Sequence, residues 1–301
     1  MHTIIYLDQN YLSNMAKARI DNVSDTGKTG FWSSIFDDLK SLVLADIIAC
    51  PELEFQVTEA RFNKRLEEPK RKIIDELSWG LRFRFHEEIL QSQIEEAARR
   101  FLGKTPEVRE PWQVAFESDP QAEVDSRMRL ICGRRTRINV HFALPNEVVE
   151  HDRQLKKRFV NGAQLLLDRL HYNGPTDLPK ATVHSKKDLI SGCIGNVACG
   201  IIVENLRKGT QLEQLIASNG LNRLMNLWDK LRRIGINIYD QEMAINFIES
   251  EELLNVPFID IFGSIYAAIA TNYPKRKMQM GDLYDVPTLA ATDLTPYYRP
   301  A

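Results

Sequence analysis

The chain has 301 residues, of which 44% are hydrophobic and 27% are charged, so it has enough apolar side chains to bury a core of its own. Its formal net charge of -2 excludes a uniformly basic surface of the kind that coats nucleic acid, although it leaves local basic patches open. The four cysteines lack the two-residue spacing of a zinc site, and no signal peptide or membrane-spanning run is recognised, so a cytoplasmic protein with reduced thiols is expected.

The first residues predict a short buried strand that ends on an acid. Thr3–Leu7 is rich in β-branched and aromatic residues, and Asp8 follows it directly. Open α/β sheets hold their ligands at the carboxyl ends of parallel strands, which makes Asp8 a candidate metal ligand. The alternative is that Asp8 only caps the helix predicted after it, although Asn10 is the preferred N-cap of that helix.

Helices are predicted for most of the remaining chain, because apolar residues recur there at helical spacing. The predicted ranges are Tyr11–Ala18, Phe31–Ile48, a helix starting at Phe55, Leu66–Leu102, Glu147–His171, Lys186–Lys208, Leu221–Ile234, Gln241–Leu254 and the buried Val256–Ala270. Ala45–Cys50 either finishes a helix or forms a second strand, and Arg137–Ala143 alternates like a strand. Gly103–Pro120 has three prolines and no period, so it is the predicted linker.

Two further acids lie near the other end of the chain. Asp282 and Asp285 are three residues apart, so both project from one side of the first turn if a helix begins there. Capping by Asp285 ahead of Pro287 explains one acid but not both. Carboxylates that share a pocket repel one another unless a cation lies among them, and Mg²⁺ or Mn²⁺ prefers oxygen ligands.

At these positions the chain resembles the PIN-like nuclease superfamily. The matching pieces are Ile4–Ser13, Cys50-Pro51 leading to Thr58-Glu59, and Gly281–Ala291. The resemblance implies an α/β, Rossmann-like core with a central parallel sheet, formed by residues 1–66 and 255–301. Residues 67–254 would then be a large, mostly helical insertion of unknown role.

The resemblance also implies the site and its chemistry. It implies that one acidic pocket is lined by Asp8, Glu59, Asp282 and Asp285, which would hold one or two Mg²⁺ or Mn²⁺ ions and cleave phosphodiester bonds of single-stranded RNA. On spacing alone, Glu59 is an ordinary surface glutamate of a helix. Members of the family usually continue past Pro296-Tyr297 to a further acid, so either the chain is truncated or this ligand is absent. Asp293 is a candidate substitute, although its place about two turns into the predicted terminal helix favours a surface acid.

Substrate contacts are expected from Asn10 and from the basic run Lys275, Arg276 and Lys277, which would neutralise the phosphate backbone. The alternative for the basic run is a solvated loop, and the run Lys70–Lys72 is interpreted as a charged helix face. Single-stranded RNA is the expected partner, with DNA as the alternative and no membrane. The helical insertion is a candidate surface for a protein partner or a second copy. The alternative function is a catalytically inactive PIN-like module that binds RNA or protein.

Overall fold

The structure of the chain is a computed structural model. It describes residues 2–20, 28–53, 56, 60, 63–105, 107, 109, 111–127, 150, 153–154, 157, 160–161, 164, 167–168, 177–194, 203, 206–209, 211–237, 239–273 and 276–279. The main helices in chain order are α1 (Gln9–Ile20), α2 (Lys28–Leu44), α3 (Lys64–Ser78), α4 (His86–Phe101), α5 (Pro111–Ala115), α6 (Leu178–Ile194), α7 (Gln211–Ile234), α8 (Gln241–Ile248), α9 (Glu251–Leu254) and α10 (Pro257–Asn272). None of these described helices is long and apolar enough to cross a membrane.

The chain forms two compact units. Unit 1 comprises Met1–Phe85, Arg109–Leu155 and Ala291–Ala301, and unit 2 comprises His86–Val108 and Lys156–Ala290. The chain therefore leaves unit 1 after Phe85 and returns to it at Arg109. The predicted division into a nuclease core and a helical insertion stays a prediction.

Unit 1 contains a small parallel sheet. Strand β1 (Thr3–Ile4) pairs with strand β2 (Ile48–Ala49), with Thr3 opposite Ile48 and Ile4 opposite Ala49. The pairing extends by one bond, because the N–H of Ile5 donates to the carbonyl of Ala49 at 2.8 Å. The alternative left open for Ala45–Cys50 is thereby resolved in favour of a strand.

The predicted Rossmann-like core with a central parallel sheet is wrong. Within the described residues the protein is mostly helical, and its sheet has only two strands. The strand predicted at Thr3–Leu7 is confined to Thr3–Ile4. A short apolar run matches a buried loop as well as a strand, and its pairing depends on residues far along the chain. The strand predicted at Arg137–Ala143 lies outside the described residues.

The core of unit 1 is formed where three helices pack around the sheet. Helices α1, α2 and α3 contact one another, and their apolar side chains recur at helical spacing. The buried residues that they supply to this core are Leu12, Met15, Ala16, Phe36, Val43, Leu66, Ile73, Ile74 and Leu77. Leu7 and Cys50 join them from the segments that follow β1 and β2. The core thus lies directly behind the segment that carries Asp8.

The long helical pattern predicted at Leu66–Leu102 is interrupted in the structure. Helix α3 ends at Ser78, and the next two residues have left-handed backbone, with φ of 47° at Trp79 and 75° at Gly80. Glycine adopts this conformation freely, whereas tryptophan does so at a cost. These two left-handed residues end α3 within unit 1. The next helix, α4, belongs to unit 2.

Unit 2 is a packed set of helices. Its core is centred on residues of α4, α7 and α10, including Ile94, Leu231, Phe258 and Ile259. The buried helix predicted at Val256–Ala270 is confirmed as α10. It packs closely on α6, because Gly263 has no side chain: a Cβ at that position would lie 2.5 Å from Cγ of Lys186.

Candidate functional site

Asp8 lies between the small sheet and helix α1. Its carbonyl accepts the N–H of Tyr11 at 3.1 Å and the N–H of Leu12 at 3.2 Å. Its carboxylate Oδ2 accepts the N–H of Asn10 at 3.0 Å. Asp8 is therefore the N-cap of α1, and the partial positive charge of the helix N-terminus favours its negative charge.

Asn10 is not the N-cap that the sequence predicted. It lies in the first turn of α1, where its backbone N–H is used by Asp8 and its side chain is exposed. The cap uses only one carboxylate oxygen, and no described residue pairs with the other, Oδ1. The two interpretations of Asp8 are therefore compatible, because one oxygen caps the helix while the other can bind a ligand.

A set of amide hydrogen bonds holds the backbone just before Asp8. Gln56 donates from Nε2 to the carbonyl of Leu7 at 2.6 Å, and its Oε1 accepts the N–H of Leu53 at 2.9 Å. Gln9 donates from Nε2 to the carbonyl of Gln56 at 2.6 Å. Gln56 is only 2% exposed, so these bonds are shielded from water. A buried polar group that lacked its hydrogen bond would be costly, which favours this arrangement. The amide bonds therefore restrict the position of Asp8.

A buried cation completes this set of hydrogen bonds. Lys70 of α3 is 5% exposed, and its Nζ donates to Oε1 of Gln9 at 3.0 Å. Burying an ammonium group is costly unless polar partners replace water. The interpretation of this run as a charged helix face is wrong for Lys70, although Lys72 is exposed. The sequence contains the missed signal, because Lys70 shares the helical spacing of the buried Leu66 and Ile73.

An ion pair lies just after β2. Glu52 accepts from Nε of Arg82 at 2.9 Å, and the two side chains are 13% and 17% exposed. Burial raises the pKa of the Glu52 carboxyl, and the charge of Arg82 only partly opposes this effect. The backbone of Glu52 also bonds to Leu81 and Phe83, so the ion pair is held between two backbone segments.

Arg127 is the largest of the fully buried side chains among the described residues. Its Nε donates to the carbonyl of Ala122 at 3.0 Å, and its Nη2 lies 3.4 Å from Oδ1 of Asp46. His2 lies 3.6 Å from the same oxygen. Nη1 has no hydrogen-bond partner among the described residues, and burial lowers the pKa of the guanidinium. Arg127 thus ties its own segment to the turn between α2 and β2.

The other predicted site residues are not assembled within the described part of the chain. Four of them lie outside the described residues: Glu59, Lys275, Asp282 and Asp285. Arg276 and Lys277 are exposed residues of unit 2, whereas Asp8 belongs to unit 1. Among the described side chains, no group of three or more His, Cys, Asp or Glu could hold a metal ion. A carboxylate oxygen suits Mg²⁺ or Mn²⁺, so Asp8 fits as one ligand and the other ligands stay predictions.

Comparison with known proteins adds no relative: no protein-family model, no curated protein and no solved structure matches this chain. The resemblance to the PIN-like superfamily therefore rests on the matching residues alone. Function has to be inferred from Asp8 and the residues that hold it.

Proposed function

We propose that the chain is a metal-dependent endonuclease that cleaves single-stranded RNA, with Asp8 as a ligand of the metal ion. The observation that carries the proposal is the way Asp8 is held. Backbone and amide hydrogen bonds restrict it on both sides, and among the described residues its Oδ1 has no partner. The proposal rests on this geometry and on the matching residues, and it does not require a Rossmann-like sheet.

A bound Mg²⁺ or Mn²⁺ ion would supply an activated water and would neutralise charge at the phosphodiester. In the proposal, Asp8 and the predicted Glu59, Asp282 and Asp285 hold this ion. The side chain of Asn10 is exposed beside Asp8 and is proposed to contact the substrate.

The basic run Lys275, Arg276 and Lys277 is proposed to contact the RNA backbone. Arg276 and Lys277 are exposed, as a phosphate contact requires. A cytoplasmic location remains part of the proposal, and it rests on the expectation of reduced thiols.

The decisive experiment is Asp8→Asn, because asparagine caps a helix about as well as aspartate but is a poor ligand for a hard cation. The metal-free melting temperature should therefore stay unchanged. The rise in melting temperature that Mn²⁺ causes in the wild-type chain should disappear, and cleavage of a single-stranded RNA should fall by at least about 100-fold.

Asp240→Asn is the matched control. Asp240 is the exposed N-cap of α8 and accepts the N–H groups of Glu242 and Met243, both at 3.1 Å. Its substitution removes the same charge from the same kind of cap, so Mn²⁺ binding and cleavage should persist.

Two results would contradict the proposal. Cleavage that persists in Asp8→Asn would show that Asp8 is not a ligand of the catalytic metal ion. A wild-type chain that neither responds to Mn²⁺ nor cleaves RNA would point to the alternative, a catalytically inactive binding module. Parallel assays with a DNA oligonucleotide of the same sequence would decide which nucleic acid is the substrate.

A further inference from the structure

Three aromatic rings of α1 and α2 form a cluster at the surface of unit 1. This aromatic cluster consists of Tyr11, Phe31 and Trp32. The ring of Tyr11 meets Trp32 edge-on with centroids 5.5 Å apart, and the ring of Phe31 meets Trp32 edge-on at 5.1 Å. Trp32 is partly buried and packs against the core, whereas Tyr11 is 51% exposed and Phe31 is 58% exposed. The partly buried indole thus positions two large rings that are about half exposed to solvent.

The aromatic cluster lies next to the proposed metal ligand. Tyr11 is three residues after Asp8, and its N–H donates to the carbonyl of Asp8 at 3.1 Å. Residues three apart at the start of a helix lie on the same side of it. A strand of nucleic acid that places a phosphate at Asp8 would therefore bring a neighbouring base close to Tyr11.

Aromatic rings beside a phosphate site are suited to unpaired bases. Every nucleobase presents a flat face, so stacking on tyrosine or phenylalanine binds single strands with little sequence preference. Base pairing in a duplex hides these faces, so stacking also selects for single strands. Edge-to-face contact with Trp32 holds the rings in advance, which lowers the entropy that binding would otherwise cost.

A broad protein-docking surface fits the observations less well. Other exposed apolar residues of unit 1 include Leu44 and Ile47. Leu44 lies at the end of α2 opposite to Phe31, about 20 Å away at 1.5 Å per residue. The aromatic cluster is therefore separate from these aliphatic residues, whereas protein interfaces generally need a larger continuous patch.

We infer that the aromatic cluster is a base-stacking subsite for single-stranded RNA, adjacent to the phosphate at Asp8. The inference rests on the proposed function, because it takes the substrate to be a single-stranded nucleic acid. Tyr11 and Phe31 supply the stacking faces, and Trp32 acts as a positioning residue.

The test is binding of a fluorescently labelled oligouridine to the full chain in EDTA, where metal-dependent cleavage cannot occur. Tyr11→Ala and Phe31→Ala should each weaken binding by about tenfold. Tyr11→Phe should bind like the wild-type chain because it keeps the ring. Tyr11→Leu should be as weak as Tyr11→Ala, because it keeps apolar surface without a ring.

Tyr239→Ala is the control for loss of an exposed tyrosine, since Tyr239 is 73% exposed and lies in unit 2. It should leave binding unchanged. Melting temperatures of all variants should stay close to that of the wild-type chain, since the substituted rings are largely exposed.

Several outcomes would overturn the inference. They are an absence of RNA binding by the wild-type chain, unchanged affinity in the double variant Tyr11→Ala/Phe31→Ala, and full affinity of Tyr11→Leu. A dimer that the double variant abolishes would assign the aromatic cluster to contact between two copies instead.

Failure of this inference can be distinguished from failure of the proposed nuclease. RNA binding that depends on the rings, without Mn²⁺-dependent cleavage, would contradict the proposed nuclease activity and support the stacking subsite. Cleavage that depends on Asp8, with RNA binding that does not depend on the rings, would contradict the stacking subsite and support the proposed nuclease activity.

Discussion

The two units are stabilised by different kinds of buried contact. In unit 1, Nζ of the buried Lys70 donates to the side-chain amide oxygen of Gln9. Nε of the buried Arg127 donates to the backbone carbonyl of Ala122. In unit 2, the core is apolar, and its buried Lys186 pairs with Asp260, a carboxylate that is half exposed. The buried polar contacts of unit 1 hold loops in place. In unit 2, buried Gln93 of α4 accepts the N–H of Phe258 at the start of α10 at 3.0 Å, and the rest of that core is mainly apolar.

This difference indicates where a functional site is expected. Burial of a charge rarely adds net stability compared with an apolar side chain of the same volume, and in some proteins its benefit is that it fixes one conformation. In unit 1, the buried amide of Gln56 bonds to the backbone carbonyl of Leu7, next to Asp8. Gln56 and Lys70 thus lie beside the candidate site, whereas Arg127 contacts Asp46 and Ala122.

The largest expected effect on stability is that of Arg127→Ala. Removal of this fully buried side chain leaves a cavity and deprives Ala122 of a hydrogen bond, so the free energy of unfolding should fall by about 3 kcal/mol or more. Urea unfolding followed by tryptophan fluorescence would measure the change. Arg127→Met should lower the free energy of unfolding by less than Arg127→Ala does. The methionine side chain fills most of the cavity, and the substitution removes Nη1, which has no partner among the described residues.

Arg100→Ala provides the comparison for Arg127, since Arg100 is an exposed arginine of α4. Its substitution should change the free energy of unfolding by less than about 0.5 kcal/mol. Equal effects of the two alanine substitutions would show that the buried guanidinium does not organise unit 1.

A smaller loss of stability is expected from Gly263→Ala in unit 2. The new Cβ would lie 2.5 Å from Cγ of Lys186 and 3.2 Å from its backbone nitrogen, so α6 and α10 would have to separate. After allowance for the better helix propensity of alanine, the expected loss is about 1–2 kcal/mol. Thermal or urea unfolding would measure it.

A double-mutant cycle with Lys186→Ala would identify the cause of this loss. Lys186→Ala removes the Cγ atom that clashes, so Gly263→Ala should cost less in that background than in the wild-type chain. Additive effects would mean that the loss does not come from Cγ of Lys186 but from the backbone of Lys186, whose nitrogen and Cα lie 3.2 and 3.3 Å from the new Cβ.

The smallest effect is a pH dependence at Glu52. Its pKa is raised in the folded protein above the ordinary value of 4.5, mainly by burial and further by Asp75 and Glu117, against the lowering effect of Arg82. The folded state therefore holds the proton more tightly than the unfolded state. The stability that this provides is present below pH 4.5 and is lost as the pH rises through the folded pKa.

Comparison with Glu52→Gln isolates this contribution, because the other carboxylates contribute equally to both proteins. The wild-type chain should lose stability relative to Glu52→Gln as the pH rises above about 4.5 and through the raised pKa of Glu52. A difference that is independent of pH, or that has the opposite sign, would mean that Arg82 outweighs burial.

Local sequence patterns predicted helices better than they predicted the ends of helices. The helix predicted at Gln241–Leu254 is split into α8 and α9, and the side chain of Ser250 caps the second by accepting the N–H of Leu253 at 3.3 Å. Serine followed by two acids is a helix start that the sequence contains. The apolar periodicity continued across the break and concealed it.

The candidate site was predicted only in part. Asp8 was proposed as a ligand because it directly follows an apolar strand pattern, and this role stays a prediction. The buried Gln56 and Lys70 that hold this region were not identified, since their partners lie on other segments of the chain. A polar residue is recognised as buried only when the segment that covers it is known.

Most of the described helical segments followed from the sequence by itself, because the hydrogen bonds and the i, i+4 contacts of a helix join near neighbours in the chain. The exceptions include α5, which lies in the predicted linker, and the start of α6, which was predicted at Lys186 and lies at Leu178. The extent of the sheet did not, because β1 pairs with a strand more than 40 residues away, at Ile48–Ala49. Burial of Lys70 and Arg127 depends likewise on packing between distant segments. A short local pattern cannot encode which of several distant segments will supply those partners.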